Sequence, residues 1–206
     1  VMANIDSALS SHEFRLSKDS VKVLEDHVNL QVKDNQYNRD ANFALFKLYQ
    51  FFPETQNEEI IKKVLYKALM NLPSTDFSAC LHILPTNKGT TDLVNLHELL
   101  ETANFKEFWS SSAREIASKE IPGFDDAIRK FVISLLQRTH TEISCDFVAE
   151  NLNVEISQIE TVAKDYNWKV DGTQVVFPKL AAETASKRPQ EKTSFAQLSK
   201  YIGVCQ

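Results

Sequence analysis

Glycine is scarce in this 206-residue chain, with Gly89, Gly123, Gly172 and Gly203 the only four. Loops that cradle nucleotide phosphates, G-x-G-x-x-G and the P-loop, need two or more glycines within a few residues so that backbone can approach the ligand. No two of these four stand that close, and both motifs are excluded. The segment NKGTTD echoes the end of a P-loop, but it lacks the earlier glycine and puts Lys88 before Gly89, so it reads as a helix-to-helix turn. Cysteine is almost as sparse. Cys80, Cys145 and Cys205 are far apart and odd in number, with no C-x-x-C pair. That pattern disfavours a zinc ribbon or a disulfide framework and fits a reducing compartment. H-E-x-x-H and G-x-S-x-G are both missing, which removes the commonest zinc-hydrolase and serine-hydrolase signatures. The five histidines are scattered, and His97, beside Glu98, has no second histidine at ligand spacing. No apolar run approaches the length of a membrane span, and the start VMANIDSALSS has no signal-peptide core. A soluble, intracellular protein is expected. Basic residues are outnumbered, 23 Lys and Arg against 28 Asp and Glu for a net charge of −5. Broad binding to a phosphate backbone relies on Lys and Arg and is disfavoured, although a local basic patch stays open.

What is present is apolar helical periodicity. With 43% hydrophobic residues, the chain is long enough for one or two cores. Residues 1–16 read as a weakly amphipathic lead-in in which Ile5, Leu9 and Leu16 pack. Val21, Leu24, Val28 and Val32 then fall on one helical stripe. The next helix, ANFALFKLYQFF, is apolar nearly all round, with Phe43, Leu45, Phe46, Leu48, Phe51 and Phe52, and is expected to be central and to end at Pro53. Asn57–Leu72 repeats Ile60, Ile61, Val64, Leu65, Ala68 and Leu69 at helical spacing and ends at Pro73. Ser74 is expected to cap the following helix, TDFSACLHIL, with Asp76 in its first turn. One more helix carries Leu93, Leu96, Leu99 and Leu100. A last one carries Phe105, Phe108, Trp109 and Ile116. Short helices joined by short breaks suggest stacked α-hairpins of HEAT or TPR type, without a strict sequence repeat.

From Pro122 the pattern changes. PGFDDAIRKFVISLLQRTH predicts a helix with Phe124, Ile128, Phe131, Val132, Leu135 and Leu136 on one stripe. A second helix, capped by Ser144, is expected to bury Phe147, Val148 and Leu152. A third is expected to bury Ile156, Ile159, Val162 and Ala163. WKV and TQVVF then flank Asp171-Gly172, a pair that predicts a type I′ hairpin turn. Three helices and a hairpin in this order outline a winged helix. The expected architecture is therefore mostly α: a helical-repeat domain over 1–121, a winged-helix domain over 122–178 with a small β-hairpin wing, and over 179–206 a polar linker and short C-terminal helix.

Chemistry is hard to find along the chain. Asp125 and Asp126 open a helix, where its dipole accounts for them. Cys80 sits among apolar helical residues and reads as core. In helix-turn-helix relatives the third helix enters the major groove and needs Arg, Lys, Asn or Gln on its exposed face. Here Glu155–Tyr166 carries Glu155, Glu160 and Asp165 against Lys164 alone. Phosphates would repel it, and protein contact is the better expectation. Between Lys179 and Lys200, five Lys and Arg face two Glu. That segment reads either as a solvated linker or as a place for weak RNA contact. No catalytic, cofactor or metal residue emerges, and no small-molecule substrate or membrane is expected.

Four blocks narrow the reading: FKLYQFFP at 46–53, LYKALMNLPSTDFSAC at 65–80, LHELLETANFKEFW at 96–109 and IPGFDDAIRKFVISLL at 121–136. In content, order and spacing they resemble the k-subunit family of eukaryotic translation initiation factor three, a PCI-type family, and the resemblance covers about residues 18–178. It implies a non-catalytic scaffold subunit of a cytoplasmic complex on the small ribosomal subunit, contacting other initiation factor three subunits and the l subunit in particular. By analogy with PCI assemblies, whose helices after the winged helix join a shared bundle, Phe195, Leu198, Tyr201 and Ile202 become candidate partner-facing residues. Packing back on their own domain is the alternative. Rival readings are a signalosome- or proteasome-lid-type PCI subunit, above all the small eighth signalosome subunit, and a winged-helix nucleic-acid binder.

Overall fold

The computed structural model describes residues 2–84 and 89–178. Helices α1 (Met2–Leu9) and α2 (His12–Leu16) form the lead-in. Ile5 and Leu9 are buried as expected, whereas Leu16 is 59% exposed, because α2 is a five-residue helix with no buried position. Helix α3 (Ser20–Lys33) buries Val21, Leu24 and Val28 on its stripe. Helix α4 (Arg39–Phe51) starts at Asn38, whose side chain accepts from the Ala41 N–H at 3.0 Å and satisfies one of the orphan donors of the first turn. A buried amide pair fixes α3 against α4. Gln31 Nε2 donates to Asn42 Oδ1 at 2.9 Å, and Gln31 Oε1 accepts from the Asn38 N–H at 2.8 Å. Satisfied in this way, two buried amides set a register that apolar contacts alone would leave loose.

Helix α4 packs against α1, α2 and α3 and also against α6 (Asp76–Ile83), and Leu45, Phe46, Leu48 and Tyr49 are fully buried. Its aromatic surface is not buried all round, however. Phe51 is 59% exposed, and Phe43 and Phe52 are only partly covered. Helix α5 (Glu58–Met70) is the more enclosed of the two, since every residue from Val64 to Leu69 is buried. It contacts α3, α6, α7 (Thr91–Glu101) and α10 (Phe124–Thr139). The Asn57 side chain caps it, accepting from the Glu59 and Ile60 N–H groups. Ser74 does not cap α6. Thr75 holds the N-cap position without a side-chain bond, because the turn leaving α5 is closed by the Ser74 N–H donating to the Asn71 carbonyl.

The helix expected to run from Phe105 through Ile116 is two: α8 (Phe105–Ser110) and α9 (Ser112–Glu120), broken at Ser111 in an extended conformation. The Ser110 hydroxyl donates to the Lys106 and Glu107 carbonyls, an example of serine competing with the helix for its own backbone. On the short α9 only Ala117 is fully buried, and Ile116 is exposed.

After α10 come β1 (Glu142–Ser144), α11 (Cys145–Leu152), α12 (Ile156–Asp165), β2 (Lys169–Asp171) and β3 (Gln174–Val176). The Ser144 hydroxyl does cap α11, accepting from the Phe147 N–H at 3.4 Å. The sheet is antiparallel in the order β1-β3-β2, with Ile143 and Val170 both registered on Val175. Strand β1 has no counterpart in the sequence pattern, since three residues are too few for alternation to show. The hairpin turn lies one residue later than expected. Asp171 pairs with Gln174, so Gly172 and Thr173 form the loop. Only Gly172 of the two has positive φ, at 61°, which excludes type I′ and matches the glycine-first requirement of type II′.

One continuous apolar core runs from Ile5 to Phe177. In the C-terminal part Phe124, Ile128, Val132 and Leu136 form its α10 stripe, with Phe131 and Leu135 partly covered at the margin. Phe147 and Ile156 were expected in this core, but Phe147 is exposed and Ile156 is 58% exposed. Each lies in the first turn of a short helix, and the Phe147 ring stands 6.4 Å from that of His140 at the end of α10.

Candidate functional site

The outer face of the C-terminal part is built by α12 and the hairpin. Ile159 and Ala163 point inward. Glu155, Ser157, Gln158, Glu160, Thr161, Lys164 and Asp165 are exposed. The acidic excess read from sequence therefore stands on the solvent face. Lys169 and Asp171 on β2 are also exposed, as is Val170. Acidic groups interspersed with Ile156, Val170 and, on α11, Phe147 suit a polar-rimmed protein contact better than a phosphate backbone.

Behind this face α11 is tied to the helical array. Trp109 on α8 donates its indole N–H to the Asn151 carbonyl at 2.8 Å, and Lys106 pairs with Glu150 at 2.7 Å. The Trp109 ring carries two guanidinium groups, Arg114 at 5.1 Å and Arg129 at 5.5 Å from its centre. Arg114 makes a two-pronged contact to Asp125, through Nε to Oδ1 at 2.9 Å and through Nη2 to Oδ2, and Ser118 adds a hydrogen bond at 3.0 Å. Asp126 pairs with Arg129. Asp125 thus anchors α9 to α10, Asp126 pairs within α10 itself, and both face the positive end of the helix dipole.

Several groups with chemical potential elsewhere are buried. Burial, reinforced by the Asp76 charge and opposed by Arg39, pushes the Cys80 thiol up to about 12, so the nucleophilic thiolate is suppressed. Asp76 is 1% exposed, ion-paired to Arg39 at 2.9 Å and hydrogen-bonded by the Asn71 amide at 3.0 Å. Burial raises Tyr37 and Tyr49 above the usual phenol range, with Glu25 accepting from Tyr49 at 2.6 Å. Among the described residues no cluster of His, Cys, Asp or Glu is arranged to hold a metal, and no helix is long and apolar enough to cross a membrane.

Phe195, Leu198, Tyr201 and Ile202 lie outside the described residues. Sequence reasoning missed the Arg39–Asp76 pair and the buried Lys67, which sits inside a helix read only for its apolar stripe. A lysine flanked by Tyr66 and Ala68 in an otherwise fully apolar turn was the available signal.

A model of the CSN8/PSMD8/EIF3K family matches residues 55–188. Similar proteins include the eukaryotic translation initiation factor 3 subunit K of Aedes aegypti and of Anopheles gambiae, each 34% identical over 207 residues, covering 98% of this chain and 93% of theirs. The protein of the same name from Drosophila grimshawi is 35% identical over 199 residues, covering 93% of this chain and 89% of its own length.

Proposed function

Taking as premise that the chain belongs to the CSN8/PSMD8/EIF3K family, we propose that it is a non-catalytic scaffold subunit of the eukaryotic translation initiation factor 3 complex. The observation that carries this reading is the near full-length similarity to proteins named as subunit K of that factor. The proposal extends to the cytoplasm as its compartment, to pairing with the l subunit, to association with the small ribosomal subunit, and to weak RNA contact by the basic segment after Lys179. The helical part, 1–121, acts as an irregular helical repeat. Residues 122–178 act as a winged helix, a reading supported by the order helix, strand, helix, helix, hairpin and by β1 pairing with β3. The exposed acids of α12 argue that this winged helix meets protein rather than a DNA groove. Phe195, Leu198, Tyr201 and Ile202 are proposed to face a partner.

A second reading is favoured by the scope of the family itself, whose description joins CSN8 and PSMD8 to EIF3K: a PCI-type subunit of a signalosome or proteasome lid. Capture of the tagged chain from a eukaryotic lysate separates the two. Recovery of initiation factor 3 and small-subunit ribosomal proteins is expected, and recovery of cullins or proteasome subunits in their place overturns the first reading.

A further inference from the structure

A cleft of about 460 Å³ opens where the end of α3, the last turn of α5 and the first turns of α10 meet. Lys67 lines it and is 3% exposed. Its ammonium donates to Asn35 Oδ1 at 2.8 Å, and no carboxylate of the described residues pairs with it. An ammonium carries three donors, so most of its capacity is unused, and burial pushes its pKa below the ordinary lysine range. A buried charge without a counter-charge is costly, and this one is presented to an open cleft. The lone partner is itself held in place. Asn35 follows α3 with φ 48°, and its amide lies over Gly123, where an added Cβ would come within 3.0 Å of Asn35 Nδ2. The amide nitrogen is thus turned toward Gly123 and the oxygen toward Lys67. Lys130, exposed, adds a second cation to the lining. The acidic member, Asp126, is already engaged by Arg129 at 3.1 Å.

We propose that this cleft receives the carboxylate of an aspartate or glutamate side chain from a protein partner, seated on Lys67 with Lys130 beside it. The inference rests on the reading of the chain as a protein-contact subunit. A monoanion matches the single buried ammonium, whereas a phosphate dianion would be repelled more strongly by the neighbouring Asp126. Half-buried Met70, Leu72 and Phe131 in the same lining suit the methylene stem of an acidic side chain.

The test titrates the full chain with the capped tripeptide Gly-Glu-Gly, its Gly-Gln-Gly counterpart and inorganic phosphate at constant ionic strength. It reads the amide resonances of Gly123 and of the Asn35 side chain. Saturable shifts with the glutamate peptide are expected, with the glutamine peptide at least about tenfold weaker, a loss of about 1.4 kcal/mol. Lys67→Met, which replaces the ammonium by an apolar group of similar length, should keep the fold and lose the saturation. Should that variant not fold, Lys130→Ala at the exposed rim should still weaken the glutamate peptide severalfold. Equal binding of the two peptides, tighter binding of phosphate, or unchanged binding in these variants overturns the proposal. Because the titration reads the isolated chain, its failure is distinct from failure of the lysate capture.

Discussion

Replacing Ala103 with glycine should stabilise the protein. Ala103 follows α7 with φ 57°, in the left-handed region that costs an L-residue about 1–2 kcal/mol. The helix end is otherwise well formed. The Asn104 N–H donates to the Leu99 carbonyl at 2.9 Å and the Ala103 N–H to the Leu100 carbonyl at 3.3 Å, the two bonds of a Schellman cap. Ala103 is exposed, so removing its methyl loses little packing. Against the relief of strain stands the greater freedom of glycine in the unfolded chain, about 0.4–1 kcal/mol. From the middle of each range, about 1.5 against about 0.7, the balance is a gain of about 0.8 kcal/mol, or about 2–3 °C in Tm for a chain of this size. Urea unfolding followed by far-UV circular dichroism measures it. Ala103→Asn is the control and should gain less, because asparagine tolerates the same region only in part. A midpoint for Ala103→Gly equal to or below that of the parent would refute the reasoning and mean that the cap does not depend on left-handed geometry at this position.

Arg39→Met leaves the Asp76 carboxylate buried without its counter-charge, with the Asn71 amide still donating to it. Because Arg39 itself is half exposed, the loss should be roughly 2–3 kcal/mol, below the 3–5 of a fully buried pair, and a parent-like urea midpoint would count against it. His27 is buried, with neither ring nitrogen hydrogen-bonded among the described residues, and burial lowers its pKa from the usual 6.5 despite the nearby Asp6. The unfolded chain therefore takes up the proton first. Stability is complete above about pH 6.5 and declines as pH falls toward the folded value, by at most about 1.4 kcal/mol per pH unit. His97 has the same sign. His27→Leu should flatten the acid side of the Tm profile, and an unchanged slope between pH 7 and 5 would argue against this origin. Truncation after Pro178 should leave the Tm close to that of the parent and reduce recovery of initiation factor 3 subunits; undiminished recovery would remove the docking role proposed for Phe195, Leu198, Tyr201 and Ile202.

Glycine scarcity explains where the sequence is easy to read and where it is not. Amphipathic stripes announce α3 and α5 directly, because Val21, Leu24 and Val28, or Ile60, Val64 and Leu65, recur at the helical period and are buried. Helix ends are harder. The usual marker is glycine just past the last turn, yet Asn35, Ala103, Asn153 and Asn167 take left-handed positions here in its place. The α8–α9 break hides in a run of serines, and β1 is too short to alternate. The shifted hairpin loop shows the limit of a dipeptide signal: Asp171-Gly172 marks a turn, but the pairing of Asp171 with Gln174 decides which two residues form it. Burial of short-helix ends is equally opaque, since Phe147 and Ile156 have the right spacing and face the wrong way. Lys67 is invisible to periodicity for a different reason. The second half of α5, Val64 to Leu69, buries every face, so its polar residue carries no phase by which to be recognised.

The charge of α12 was legible, and its packing gives that charge its meaning. Trp109 and Lys106 reach α11 from the helical array, and Arg129 of α10 donates to the Leu152 carbonyl at its end. Helix α12 contacts α11 and β2, and its Glu155, Glu160 and Asp165 remain in solvent. Had the helical array covered α12, its acids would need buried cations, and the surface would be a domain joint. Had α12 been basic, the same outward geometry would suit a major groove. Acidic and uncovered, it presents to solvent a charge that phosphates would repel. Attachment through α11 holds that face outward, which is the arrangement a subunit needs if the partner it meets is another protein.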